Sequence, residues 1–237
     1  MTDDDRRHSK LSAVRALLAK AERTEFPEEA RALTSKAQEL MVRYALTEAQ
    51  LQASGSAKQG QVVVTVAVEV EAPYRNAKGL LLSEVAGANN CRVIEDGACY
   101  HMVGFASDTE RAQLIFTSLL LQAAREMLVA YKEPWMNTKS FRHSFLIGYA
   151  TEIGTRLVKR VDAVVSDLRY AGGSDILPVL ADRRHEVDRA VRDRWGGTLG
   201  SSWVTYGTET GYSAGRNAAR RADLSHRRLR SRRQLVP

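Results

Sequence analysis

Along residues 9–23 (SKLSAVRALLAKAER), Leu11, Val14, Leu18 and Ala21 recur at helical spacing and Leu17 widens the stripe, which predicts an amphipathic helix. After Thr24-Glu25-Phe26, Pro27 followed by Glu28 and Glu29 marks a second helix start: proline suits the first helical turn, and acids suit the positive end of the dipole. Its apolar face is Ala30, Leu33, Ala37, Leu40, Met41 and Tyr44. Alanines on both helices let the backbones approach, so the pair reads as an antiparallel hairpin, with Thr47-Glu48-Ala49-Gln50 capping a short third helix. The stretch ASGSAKQGQ at 53–61 reads as a linker.

Beyond it the pattern changes period. Valine-rich QVVVTVAVEVEA at 61–72 predicts a strand, 74–88 a helix, and 89–105 a β-hairpin turning on Asp96-Gly97, the dipeptide suited to a type I′ turn. Pairing Glu95 with Ala98 sets Ile94 opposite Cys99 and Cys91 opposite Met102. Ser107 with Glu110 reads as a capping box opening an apolar core helix that runs to about Tyr131. A long helix follows from Asn137 or Thr138 through Phe141, Phe145, Tyr149, Leu157, Val161, Val164 and Leu168, closed by Ala171-Gly172-Gly173-Ser174. Pro178 opens a helix with a narrow stripe (Leu180, Val187, Val191, Trp195), expected on the surface and broken by Gly196-Gly197. Trp203 to Tyr206 is expected as a short edge strand, and Ala214 to Leu224 as a final helix. The fold class expected is α+β: an N-terminal helical hairpin (1–54), a small, mainly antiparallel sheet packed by long helices (61–213), and an Arg-rich C-terminal helix and tail (214–237).

Charge sharpens this picture. The 237-residue chain carries net +7, yet residues 216–237 contain eight arginines, no lysine and a single acid, so the remainder sums to zero. A near-neutral body therefore carries one basic arm: Arg216, Arg220, Arg221, Arg227, Arg228, Arg230, Arg232 and Arg233. Guanidinium is the fork that holds phosphate bidentately, and up to eight such contacts imply a log-log salt slope of roughly −4 to −7 on duplex DNA. A solvated tail, or one folded back on Asp3, Asp4 and Asp5, is the competing explanation. Lys139, Arg142 and His143 with Arg156, Lys159 and Arg160 offer a second basic strip, in which Arg142, Arg156 and Arg160 share one helical face; the exposed polar side of a helix buried on its other face is the preferred explanation, and phosphate binding there the alternative. The two cysteines, on opposite faces of the expected hairpin, are not placed to bridge, and the opening MTDDDRRHSK shows no signal-peptide pattern. A cytoplasmic setting and no membrane contact are expected.

The segment KLSAVRALLAKAERTEFPEEARALTSKAQELMVRYAL at 10–46 resembles an uncharacterised bacterial and phage domain marked by Leu-Leu-x-Lys-Ala in one helix and Lys-Ala-Gln-Glu-Leu-Met in the next. SFRHSFLIGYATEIGTRL at 140–157 and GYSAGRNAARRADL at 211–224 are similar to the second domain that commonly follows it. The resemblance implies a two-domain organisation and a prokaryotic or phage setting. It supplies no activity, cofactor or catalytic residue.

Other chemistry finds less support. Glu28, Glu29 and Glu39 cancel Arg31, Lys36 and Arg43, so the second helix lacks the positive face that groove reading needs, and the hairpin reads instead as a surface for protein docking or self-association. Gly211-Tyr212-Ser213-Ala214-Gly215 matches the G-x-S-x-G elbow, but only 22 residues follow it, too few for the acid and histidine. Five scattered histidines (His8, His101, His143, His185, His226), with no H-E-x-x-H and no C-x-x-C, give no expectation of a metal. Cys99 and His101 share a hairpin face, where core packing is preferred to a catalytic pair. Phosphate-binding glycine motifs are absent, so no cofactor is expected, and Tyr74, Tyr100, Trp135 and Trp203 are too dispersed for a base-stacking platform. The reading is a non-enzymatic accessory protein contacting the phosphate backbone of DNA or RNA. The alternatives are an enzyme with a cleft between sheet and long helix, using His101 and His143, and an assembly protein whose arm meets an acidic protein surface.

Overall fold

Alternating valines and helical stripes become strands and helices where their apolar faces meet. The computed structural model describes residues 3–24, 26–37, 40, 62–97, 99–130, 138–170, 177–196 and 204–224. The short helix expected at 47–50, the linker at 53–61, the glycine stop at 172–173, Trp203 and the tail from 225 onward lie outside the described residues.

Helix α1 spans Asp3–Arg23, starting earlier than its stripe indicates. Residues 27–37 form α2. Leu11, Val14 and Leu18 are buried in the main core, as is Ala37 of α2, and Ala30 and Thr34 of α2 are buried as well. The α1 stripe is thus committed to the chain's own interior, and α1 packs on α4, a helix spanning Ala106–Ala130.

The sheet holds β1 (Val63–Val68), β2 (Arg92–Glu95) and β3 (Tyr100–Phe105), antiparallel throughout, in the order β1-β3-β2. Its hairpin register differs from the expected one by two residues: Glu95 lies opposite Tyr100 and Ile94 opposite His101. The Asp96 N–H donates to the Cys99 carbonyl at 3.3 Å, which puts Gly97, at φ +85°, first in the turn, a position that suits glycine. The Asp96 Oδ1 accepts the Cys99 N–H at 2.9 Å and holds this alignment. A two-residue slip preserves faces. The cysteines therefore remain apart and free, Cys91 buried and Cys99 half-buried.

One sheet face, through Tyr100, Met102 and Val68, packs on α3 (Arg75–Ala88) and α4, burying Leu81, Leu82, Val85, Phe116 and Leu119. The other face is covered by α6 (Leu177–Trp195), whose Val187 and Val191 bury against Val103 and Phe105. The charged flanks of α6 reach the body as well: Asp188 accepts from Arg92 at 2.7 Å, and Arg183 binds the buried Asp108 at 2.7 Å. Helix α6 is therefore a covering layer with an exposed back, broken at Gly196.

Helix α5 (Lys139–Tyr170) opens on Thr138, whose hydroxyl accepts the Phe141 N–H at 3.1 Å. It packs chiefly on α3 and on α7 (Glu209–Arg221). Because α3 and α4 pack against both the sheet and α5, they fill the place where a cleft between sheet and long helix was expected. Residues 204–206 form no strand, and α7 begins five residues before the expected Ala214. The cause is Ser144 on α5, whose Oγ accepts the Gly207 and Thr208 N–H groups at 3.0 Å each and fixes the chain at the entrance to the helix.

The N-terminal helices join the body through buried charge. Lys78 Nζ lies 2.5 Å from Glu22 Oε2, with side chains 5% and 7% exposed, and also donates to the Glu71 carbonyl at 3.0 Å. Burial raises the Glu22 pKa against the opposing pull of Lys78. Arg15 is buried nearby and donates to Thr117 Oγ1 at 3.3 Å; desolvation lowers its pKa to about 10, with Glu69 and Glu71 pulling the other way. No helix among the described residues is long and apolar enough to cross a membrane.

Candidate functional site

The α5–α7 edge gathers most of the described basic candidates. Small residues bring the two helices together: a Cβ on Gly148 would run into the Tyr212 carbonyl, and one on Gly215 into the Phe145 carbonyl. Glu152 of α5 then faces α7, where its Oε2 takes Arg216 at 2.8 Å and its Oε1 takes Arg220 at 3.4 Å. Desolvation pushes the Glu152 pKa up, but the hydrogen bonds and charges of Arg216 and Arg220 outweigh it and leave the carboxyl below its ordinary value. Arg221 pairs with Glu126 of α4 at 2.6 Å.

The C-terminal end of α7 is closed by α5. Arg156 Nη1 donates to the Ala219 carbonyl and, at 2.8 Å, to the Ala222 carbonyl. Gln122 of α4 clamps the next residue, donating to the Asp223 carbonyl at 3.0 Å and accepting its N–H at 2.8 Å. Arg156, Lys159 and Arg160 line an open groove with Ala222, Asp223 and Leu224. Lys159 and Arg160 are exposed. Residues 222–224 are therefore fixed beside three cations, and the arginine-rich segment follows directly in sequence.

Among the expected phosphate-binding residues, Arg156, Arg160, Arg216, Arg220 and Arg221 belong to this edge. Arg142 does not. It sits some four turns away along α5 and donates to the Glu22 carbonyl at 3.0 Å, tying α5 to the end of α1. Arg227, Arg228, Arg230, Arg232 and Arg233 lie outside the described residues. His143 rests near the Tyr74 ring at 6.4 Å, and its pKa is lowered by desolvation, whereas His101 lies against Trp195 at 5.5 Å. The structure does not bring the two histidines together. Ser213 lies inside α7 and donates to Glu209 at 2.8 Å, so G-x-S-x-G here is helix, with its glycines at the α5 crossing rather than at a nucleophile elbow.

At the hairpin, Cys99 Sγ lies 3.1 Å from His101 Nε2, which itself lies 2.6 Å from Asp96 Oδ2. Alternation along β3 made the Cys99–His101 adjacency visible in the sequence. The part of Asp96 was missed because it depends on the Asp96–Cys99 pairing, although the spacing D-G-x-C-x-H carries the signal. Partial desolvation, then the Asp96 carboxylate, push the Cys99 thiol up, and burial pushes Cys91 up to about 12.

Residues 10–48 match the protein family DUF2786, described as a protein of unknown function. The match covers the α1–α2 region, where an uncharacterised domain was expected. Neither the curated proteins nor the solved structures contain a match to the chain.

Proposed function

We propose that this protein is a non-enzymatic accessory factor that binds the phosphate backbone of nucleic acid through the α5–α7 edge and the arginine arm that continues from it. The observation that carries the reading is the groove lined by Arg156, Lys159 and Arg160 at the point where Asp223 and Leu224 lead into the arm. Lys159 and Arg160 have no acceptor among the described residues, while Arg216 and Arg220 share the single carboxylate of Glu152, leaving that cluster with surplus positive charge. Such a surface attracts phosphates without reading base identity. The reading keeps the expected two-part organisation and the bacterial or phage, cytoplasmic setting. Hairpin residues left exposed on α2, such as Glu28, Glu29 and Arg31, supply a mixed-charge face for a protein partner.

The test titrates the full chain, a version ending at Leu224, and the Lys159→Glu/Arg160→Glu variant against labelled single- and double-stranded DNA and RNA at two salt concentrations. Expected is tight, sequence-tolerant binding by the full chain that weakens steeply with salt, together with a loss on truncation and a smaller loss in the double variant. Absence of salt-sensitive binding by the full chain overturns the reading. Salt-sensitive capture of an acidic protein in its place favours the assembly role.

A further inference from the structure

We infer that Asp96, Cys99 and His101 form a binding site for one divalent transition metal of the zinc type, at the tip of the β2–β3 hairpin. The donor atoms of the three side chains lie within 4.8 Å of one another. They reach this arrangement by backbone pairing: Asp96 and Cys99 face each other across the turn, and Cys99 and His101 alternate along one strand face.

The geometry separates a metal site from a catalytic relay. A Cys-His-Asp relay uses both ring nitrogens of the histidine, one for the thiol and one for the carboxylate. Here a single nitrogen, Nε2, faces both the Cys99 sulfur at 3.1 Å and the Asp96 oxygen at 2.6 Å. That nitrogen carries either a proton or a lone pair, so no arrangement of protons lets it accept from the thiol while donating to the carboxylate. A cation satisfies all three atoms at once. Zinc bonds of roughly 2.0–2.3 Å hold tetrahedral ligands about 3–4 Å apart, so small side-chain shifts complete the site.

Charge and surroundings agree. Carboxylate and thiolate together neutralise a dication, and the thiol proton displaced on binding passes to water. Asp96 Oδ1 is held by the Cys99 N–H, which aims Oδ2 at His101, and Trp195 stands behind the imidazole at 5.5 Å. Arg75 donates to the Gly97 carbonyl at 3.0 Å and lies over the Tyr100 ring, on the other face of the hairpin. Half-burial of Cys99 and exposure of Asp96 leave the fourth coordination position to water.

The experiment titrates the full chain, stripped with chelator, with Co2+ and then Zn2+. Expected is a thiolate-to-cobalt charge-transfer band in the near ultraviolet that saturates at one ion per chain and is bleached by Zn2+. Cys99→Ala abolishes the band and Cys91→Ala retains it. Asp96→Asn keeps the turn acceptor but weakens cobalt binding by at least the roughly tenfold that loss of an outer-shell partner costs. Should Cys99→Ala fail to fold, protection of Cys99 from iodoacetamide by Zn2+ in the unmodified chain provides the same readout. No charge-transfer band in the full chain, a band that survives Cys99→Ala, or unchanged alkylation with Zn2+ present overturns the proposal.

Discussion

Two seams of this molecule place glutamates against basic side chains, and they work in opposite ways. Where α1 meets α3, the Glu22–Lys78 pair is sealed from water, and Arg142, from α5, donates to the Glu22 backbone carbonyl. Where α5 meets α7, Glu152 faces two arginines whose side chains are 41% and 57% exposed. A sealed charge depends on its partner, because removing one member strands the other in a poorly solvating interior. An exposed pair is screened by water and salt, so the α5–α7 seam must be held by something else: the close backbone approach at Gly148 and Gly215. The same ion-pair chemistry therefore fixes structure at one seam and leaves solvent-facing charge at the other.

The comparison breaks first at the sealed seam. Lys78→Met should cost about 3–5 kcal/mol in urea unfolding, and adding Glu22→Gln should restore most of it. A single-variant loss no larger than that of a surface substitution would show that the pair is not truly sealed. At the open seam, Gly215→Leu drives a side chain into the Phe145 carbonyl and should cost roughly 1–3 kcal/mol, seen as a lowered thermal midpoint. Removing the carboxylate with Glu152→Gln should move that midpoint less.

Acid offers a milder probe. The Arg92 hydrogen bond lowers the Asp188 pKa, and Glu152 is likewise held below its ordinary value. Their contributions to stability are complete above the ordinary carboxylate range and are lost as pH falls through the lower folded-state values. Thermal melts should decline over that acidic window, with Glu152→Gln showing a shallower decline than the parent. The smallest effect on stability is the sharpest on function: Glu152→Gln should raise polyanion affinity at low salt, with the gain vanishing at high salt. Unchanged affinity would remove Arg216 and Arg220 from the proposed phosphate-binding surface.

The legible part of the fold was the part written locally. The stripes of α1 and α4 and the first half of the α5 stripe bury residues their periods indicate, among them Leu18, Phe116 and Phe145, and β1 buries Val68; farther along α5 the expected Val161 is exposed, because the helix has run past its partners there. The hairpin register slipped because Asp-Gly and Gly-Ala both offer glycine to the turn, and what selects between them is the Asp96 carboxylate holding the Cys99 amide. The narrow stripe of α6 suits a helix that covers one small sheet face, but its partners Arg92 and Asp108 lie far away in sequence. The start of α7 could not be read locally, since its anchoring hydroxyl is Ser144, 63 residues before Gly207. Likewise, the shared face of Arg142, Arg156 and Arg160 follows from helical angle, whereas the division of labour among them follows from acceptors on α1 and α7.

Helix α7 has thirteen residues, two of them glycine, and Thr208 forms no side-chain cap. The chain at its entrance is anchored by a hydroxyl of α5, and its exit by a guanidinium of the same helix. So short a helix does not nucleate alone in water. Becoming helical and docking are thus a single event for this segment, which can take its shape only after α5 has formed, and which loses both together when the seam opens.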